Sequence, residues 1–197
     1  MIAWRCWWGI LLVVLNFQLL AACGHMPVTS MVKLARVDFQ TTDPEKLRVA
    51  VRLPNALRAR AEGTVLRVAV RVGNSAEEAR DFALREITDR AELDTLAGEG
   101  EAGFHLSAYA IAANDVAHVR MFRAALMQKK KDGVSGSLTI SVRPDTCRTG
   151  PLPSGPILLS TYLGTGETNG YVPLARDVDL RSFEAERDIA TMIPECR

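Results

Sequence analysis

The first 22 residues differ so strongly from the rest that the chain has to be divided before its fold is considered. They hold all three tryptophans of the protein, and Arg5 is their one charged side chain. An apolar stretch over residues 9–20 is followed by the small residues Ala21 and Ala22. A basic start, a short apolar run and small residues are typical of an export signal. A membrane-spanning helix needs roughly 20 apolar residues, so this run is too short to be a permanent anchor.

A cysteine follows directly, which makes the junction Leu20-Ala21-Ala22-Cys23. This junction resembles the lipobox of bacterial lipoproteins. The resemblance implies cleavage before Cys23, a diacylglyceryl group on its thiol and an acyl chain on its new amine. Two or three chains anchor a protein stably, whereas one binds only marginally. Gly24 stands where aspartate favours inner-membrane retention in this class, so the resemblance implies the periplasmic face of the outer membrane.

Two rival interpretations of this N-terminus stay open. Ordinary signal peptidase prefers small residues one and three positions before its cut, and Leu20 suits that preference poorly. Translation beginning at Met26 or Met31 would leave a cytosolic protein and make the upstream pattern accidental.

On the lipoprotein interpretation, residues 1–22 are a signal peptide, 23–30 a short lipidated tether and 31–197 one globular domain. The domain is long enough to bury a core. The chain has 24 basic and 23 acidic side chains, so loss of Arg5 balances the two. This balance argues against nucleic acid as a partner, because binding phosphates takes an excess of lysine and arginine. The expected partners are the membrane, through the anchor, and an envelope protein.

Two of the four cysteines remain for the domain, since Cys6 lies in the signal peptide and Cys23 would carry the lipid. An even pair in an oxidising compartment predicts a disulfide between Cys147 and Cys196. On the chain-entropy model, closing a loop of about 50 residues contributes roughly 4 kcal/mol. The alternative is a catalytic thiol, but no nucleophile motif surrounds Cys147.

Alternating apolar and polar residues predict about seven short strands, each with one solvent-exposed face, which is typical of antiparallel sheets. The expected fold class is mainly β: an antiparallel β-sandwich with one crossover helix over residues 115–131 and further short helices. Asn169-Gly170 predicts the turn of a hairpin, and Pro173 predicts that its second arm is an edge strand. The strands are expected over residues 31–39, 64–72, 79–88, 104–111, 137–143, 157–163 and 171–175.

Three segments carry mixed signals. Residues 43–53 combine a helix start, Asp43-Pro44-Glu45, with strand-like alternation, and we expect a short helix there. Residues 75–97 are expected to form a strand and then a short helix near 89–97. If they were a single helix, the fold would be α+β or an α/β sheet. Residues 144–156 carry four prolines and are expected to form an irregular loop.

The residues that could support catalysis are few. His25, His105 and His118 are scattered and show no metal-ligand spacing, so we predict no catalytic residue, no metal ligand and no cofactor. Ser30 and Lys33 have the S-x-x-K spacing of penicillin-recognising serine enzymes without the other motifs of that class. Residues 164–170 contain three glycines but lie between predicted strands, so a hairpin loop is expected there.

Charge is unevenly distributed along the chain. Residues 46–71 hold seven basic side chains and one acidic one, whereas residues 77–101 hold nine acidic and three basic ones. The simpler interpretation is that these segments are neighbours and pair across strands. The alternative is a polar molecule with its basic face towards anionic headgroups.

These observations favour a lipid-anchored periplasmic domain that binds or scaffolds an envelope partner without catalysis. Two alternatives stay open. One is an envelope hydrolase assembled only in the fold, with His105 or His118 beside a carboxylate and a serine. The other is a sandwich that binds a lipid or small ligand in an apolar cavity.

Overall fold

The computed structural model describes residues 26–130, 136–183 and 192–196. The predicted signal peptide, Cys23 and His25 lie outside these ranges, as does residue 131 at the end of the expected helix. In the described part of the chain, no helix is both long and apolar enough to cross a bilayer. The α-helices are α1 (Val28–Leu34), α2 (Arg90–Asp94) and α3 (Ala113–Lys130), with 3-10 turns at Pro44–Lys46, Ala97–Glu99 and Leu180–Phe183. The strands are β1 (Arg48–Pro54), β2 (Leu57–Val72), β3 (Glu78–Glu86), β4 (Phe104–Ile111), β5 (Gly136–Arg148), β6 (Leu158–Thr165) and β7 (Gly170–Asp179).

The strands are hydrogen-bonded in the order β5-β2-β3-β4-β1-β6-β7, and each of these pairs is antiparallel. β3 joins two halves of this arrangement. Its earlier residues pair with residues 65–70 of β2, and its residues 84–86 pair with β4. In β-sandwiches, the corners are made by strands that pair with one group of strands along part of their length and with another group along the rest. The mainly β, antiparallel fold class is confirmed.

The larger apolar core takes residues from both halves and from α3. Val49, Val51 and Leu53 of β1 belong to the same buried cluster as Leu66 of β2 and Val119 of α3. Successive strand residues point to opposite faces, so the residues between them on β1 lie on the other side. There Ala50, together with Ala108 and Ala110 of β4, meets Leu96 and Tyr162 in a second cluster. Residues 87–101 therefore cover the face of the sheet that the main core does not use.

Two predictions near the start of the domain are wrong. Residues 31–39, expected as a strand, form the later part of α1 and the turns after it. The helix start at Asp43 produces only the 3-10 turn at Pro44–Lys46, where the Asp43 carboxylate accepts a hydrogen bond from the Glu45 amide. The rest of residues 43–53, expected as a helix, becomes β1, because β4 and β6 hydrogen-bond to it on both sides.

The segment over residues 75–97 forms β3 and then α2, so the single-helix alternative is wrong. Asp89 caps α2 by accepting a hydrogen bond from the Glu92 amide. The irregular loop begins later than residue 144, because β5 continues to Arg148. Pro144 is tolerated within β5 because it lies on an outer strand, where the register with β2 shifts between Arg60 and Val65.

The hairpin of β6 and β7 follows its prediction. Asn169 and Gly170 both have positive φ, at 49° and 127°. Within the segment expected as the hairpin loop, residues 166–169 form the turn, and residues 164, 165 and 170 belong to the two strands. β7 is an outer strand, as Pro173 indicated.

Cys147 and Cys196 are bonded to each other, as predicted, with an S–S distance of 2.01 Å. The bond holds the C-terminal residues against the end of β5. There the Cys196 amide donates to the Arg148 carbonyl, and the Arg148 amide donates to the Pro194 carbonyl. One end of the free edge of β5 is therefore covered.

Replacing both bonded cysteines, Cys147→Ala with Cys196→Ala, is expected to lower the free energy of unfolding by about 4 kcal/mol, because the unfolded chain loses its cross-link. Urea unfolding of the oxidised wild type and the double variant measures the difference. Alkylation should label neither cysteine of the native protein and both after reduction under denaturing conditions. Equal unfolding midpoints, or labelling before reduction, would contradict this prediction.

Candidate functional site

A buried arginine on β1 is the centre of a charged network on the second face of the sheet. The Arg52 side chain is only 6% exposed, and its Nη2 donates to Asp177 Oδ1 at 2.6 Å. Its Nη1 lies 2.9 Å from Glu101 Oε2 and donates to the Glu99 carbonyl at 3.2 Å. The Phe104 ring lies 5.2 Å from the guanidinium carbon. A buried charge needs this number of partners, because leaving it unpaired is costly.

Asp177 takes part in this network from an unusual backbone conformation. Its φ is 53°, in the left-handed region that few residues other than glycine adopt. The register of β6 with β7 shifts on both sides of Thr161, close to this residue. The Asp177 amide donates to Ser160 Oγ at 2.9 Å, and that hydroxyl lies 3.2 Å from the Asp177 carboxylate. The bulge and the positive φ together direct the carboxylate towards Arg52.

Two further arginines extend the network along the same face. Arg48 Nε lies 2.7 Å from Glu92 Oε1, and Arg176 Nη2 lies 2.9 Å from Glu99 Oε2. The Tyr171 hydroxyl donates to Glu92 Oε1 at 3.3 Å. Burial, and then the negative charge of Glu92, raise the pKa of Tyr171 far above its usual range. The hydroxyl therefore keeps its proton at neutral pH and acts as a donor.

The two charge blocks of the sequence pair largely with each other. Arg67 and Asp81 face each other in the register of β2 and β3, with Nη1 and Oδ1 3.0 Å apart. This arrangement favours pairing between the two segments over a molecule with one basic and one acidic face. The pairs between the blocks are Arg48 with Glu92, Arg52 with Glu101, Arg67 with Asp81 and, at 3.9 Å, Arg71 with Glu77.

His118 is exposed on the surface of α3 and pairs with the half-buried Asp115. Its Nδ1 lies 2.9 Å from Asp115 Oδ1, and the Asp115 carboxylate also accepts the amide proton of Ala83. The hydrogen bond to His118, followed by the one from Ala83, lowers the pKa of Asp115. Among the residues that the structure describes, no serine hydrogen-bonds to this pair.

His105 lies elsewhere, on β4, and its buried Nδ1 has no partner among the described residues. Burial and the nearby Arg58 lower the pKa of His105, so its ring is neutral at pH 7. The described ranges therefore do not contain the histidine, carboxylate and serine arrangement that the hydrolase hypothesis needs. They also contain no group of three or more His, Cys, Asp or Glu residues placed to hold a metal.

The S-x-x-K match does not form a site. Ser30 is buried on α1, whereas Lys33 is exposed. Both residues lie on a helix, although Lys33 was expected on a strand.

A cleft of about 300 Å³ opens between α3, the loop after α1 and one end of β2 and β5. Charged side chains contribute little to it: Asp38 and Arg123 line its wall, and Arg123 donates to the Thr42 carbonyl. Its size is at the lower end of small-ligand sites. Most of the lining is apolar, from Val37, Phe39, Val70, Val72, Leu126, Met127 and Leu138.

Neither the Arg52 network nor the cleft could be found from the sequence. Arg52 meets Asp177 across 125 residues, and the cleft is lined by four separate segments. The one available indication was Arg52 itself, a charge within an otherwise apolar run.

The chain matches no family model, no curated protein and no solved structure.

Asp177→Asn is expected to lower the free energy of unfolding by about 1–3 kcal/mol, because a charged hydrogen bond to a buried guanidinium is lost. Asparagine tolerates the left-handed conformation, so the loss of unfolding free energy measures the effect of the missing charge and not of backbone strain. Asp94→Asn is the matched control: Asp94 pairs with Arg90 on the exposed side of α2, and such pairs contribute less than about 1 kcal/mol. Urea unfolding compares the two variants, and equal effects would contradict the role given to Asp177.

Proposed function

We propose that this protein is a lipoprotein of the bacterial cell envelope, anchored through Cys23, that acts as a non-enzymatic binding or scaffolding domain. The junction Leu20-Ala21-Ala22-Cys23 supports the anchor. Gly24 after it supports the periplasmic face of the outer membrane over the inner membrane. The proposed partners are the membrane and an envelope protein, and not nucleic acid.

The observation that carries this proposal is the short distance between Cys23 and the folded domain. α1 begins at Val28, and Ser30 within it is only 2% exposed. An extended chain advances at most about 3.6 Å per residue, so Cys23 lies within about 18 Å of Val28. The helix takes up residues 28–30 of the predicted tether. A domain held this closely is suited to a partner in or on the same membrane.

The free edge of β5 and the cleft beside it are the surfaces best suited to a protein partner. β5 is an outer strand, and its residues 136–139 are exposed. An outer strand can pair its free backbone groups with an extended segment of another chain. Leu138 lies on this edge and lines the cleft, so the cleft could receive an apolar side chain of that segment.

A lipid or small apolar ligand is the second candidate for the same cleft. The observation that favours it is the largely apolar lining of a cleft of about 300 Å³. Ligand sites combine such walls with a small number of polar groups, which Asp38 and Arg123 would supply.

Cys23→Ser is expected to abolish incorporation of a clickable palmitate analogue into the protein in growing cells, because the thiol that accepts the diacylglyceryl group is absent. The protein should also leave the washed membrane fraction. Cys6→Ser is the matched control, since Cys6 lies in the predicted signal peptide, and its labelling should equal that of the wild type. Undiminished labelling of Cys23→Ser would overturn the anchor.

A photo-crosslinking amino acid in place of Leu138 is expected to capture an envelope protein in intact cells, because this side chain is 43% exposed at the cleft. The same amino acid in place of Met121, which is 60% exposed on α3, is the control. A protein-sized adduct formed only from position 138 supports the binding role. An adduct with the mass of a lipid or small molecule supports the second candidate, and no adduct specific to position 138 contradicts both.

A further inference from the structure

Helix α1 presents an apolar face to solvent. Val28, Met31 and Val32 are 75%, 54% and 58% exposed. Their i, i+3, i+4 spacing places them on one side of the helix. The other side is held by the domain, because Ser30 is buried and Leu34 packs against the larger core. The exposed face is therefore a contiguous stripe on a helix whose orientation the domain determines.

The position of this stripe in the chain indicates what covers it. Cys23 precedes Val28 by five residues, so the stripe lies within about 18 Å of the proposed lipid attachment. The headgroup zones bring a bilayer from about 30 Å of hydrocarbon to roughly 40–45 Å in total. A helix tied this closely to inserted acyl chains can reach the headgroup zone of the same leaflet.

The charges next to the stripe also suit a membrane surface. Lys33 and Arg36 are exposed and lie beside or just after it. Residues 26–37 contain no acidic side chain. Helices that lie in the interface combine an apolar face with lysine and arginine, whose long side chains extend to the phosphates.

We propose that the face of α1 formed by Val28, Met31 and Val32 docks into the headgroup and acyl boundary of the leaflet that holds the Cys23 lipid. This inference rests on the proposed anchoring at Cys23. The lipid alone is a single point of attachment, about which the domain can rotate. A second contact through α1, which contacts β7, holds the domain in one orientation on the membrane.

Tryptophan fluorescence tests this docking directly, because residues 23–197 contain no tryptophan. Met31→Trp places a reporter in the stripe, and Met121→Trp places the matched control on α3, where the side chain is 60% exposed. Each protein, lipidated at Cys23 and without residues 1–22, is reconstituted into phosphatidylethanolamine and phosphatidylglycerol vesicles with brominated acyl chains. Met31→Trp is expected to lose most of its fluorescence and to shift to shorter wavelength, whereas Met121→Trp keeps its emission.

A second substitution separates docking from mere proximity to the anchor. Val32→Gln added to Met31→Trp is expected to restore much of the fluorescence, because it removes an apolar contact and leaves Cys23 unchanged. Thr29→Gln is the control, since Thr29 is exposed outside the stripe, and it should leave the quenching in place. Equal quenching at positions 31 and 121, or no effect of Val32→Gln, would overturn the docking.

Flotation of the vesicles distinguishes failure of this inference from failure of the anchor. If the protein floats with the vesicles and Met31→Trp is not quenched, the lipid anchor stands and the docking is overturned. If the protein does not float, the anchoring at Cys23 is overturned, and the docking with it.

Discussion

The packing on the second face of the sheet depends on the ion pairs and hydrogen bonds of the Arg52 guanidinium. The guanidinium projects from β1, between β4 and β6, into a face of mainly apolar residues, where an unpaired charge would be costly. The residues that stabilise it come from three places: Glu99 and Glu101 in the covering segment, Ser160 on β6 and Asp177 on β7. One side chain thus links the middle of the sheet, its outer strand and the segment that covers it.

This use of charge bears on what the domain can do. Arginines and carboxylates that attract attention in the sequence are engaged with one another along β1, β2, β3 and β7. The surfaces that suit outside partners are largely apolar: the stripe on α1 and the cleft beside the free edge of β5. One of them follows closely after Cys23 in the chain, which is why we interpret the domain in relation to the membrane.

The elements that could be predicted are those whose local pattern fits only one type of secondary structure. Residues 104–111 form β4 with the expected bounds, and α3 covers most of its expected range. Asn169-Gly170 forms the expected turn, and the two cysteines left for the domain bond to each other. The predictions for residues 31–39 and 43–53 were wrong because packing and strand pairing, which the local pattern does not contain, decided the secondary structure there. The Arg52 network could not be predicted for a different reason. The partners of Arg52 are 47 to 125 residues away in the chain, and no local pattern specifies them.

The amino-acid sequence by itself predicts a division of the chain at Ala22 and Cys23 that leaves a part of neutral formal charge. It also determined the antiparallel character of the strands and the cysteine pair that bonds. These follow from composition and from alternation along one strand, which need no knowledge of neighbours. Only the tertiary structure decided the strand order, the bulge that turns Asp177 towards Arg52, the opening of the cleft and the outward face of α1. Each of these depends on which distant segment packs beside a residue, because exposure and ion pairing are properties of surroundings in space and not of neighbours in the chain.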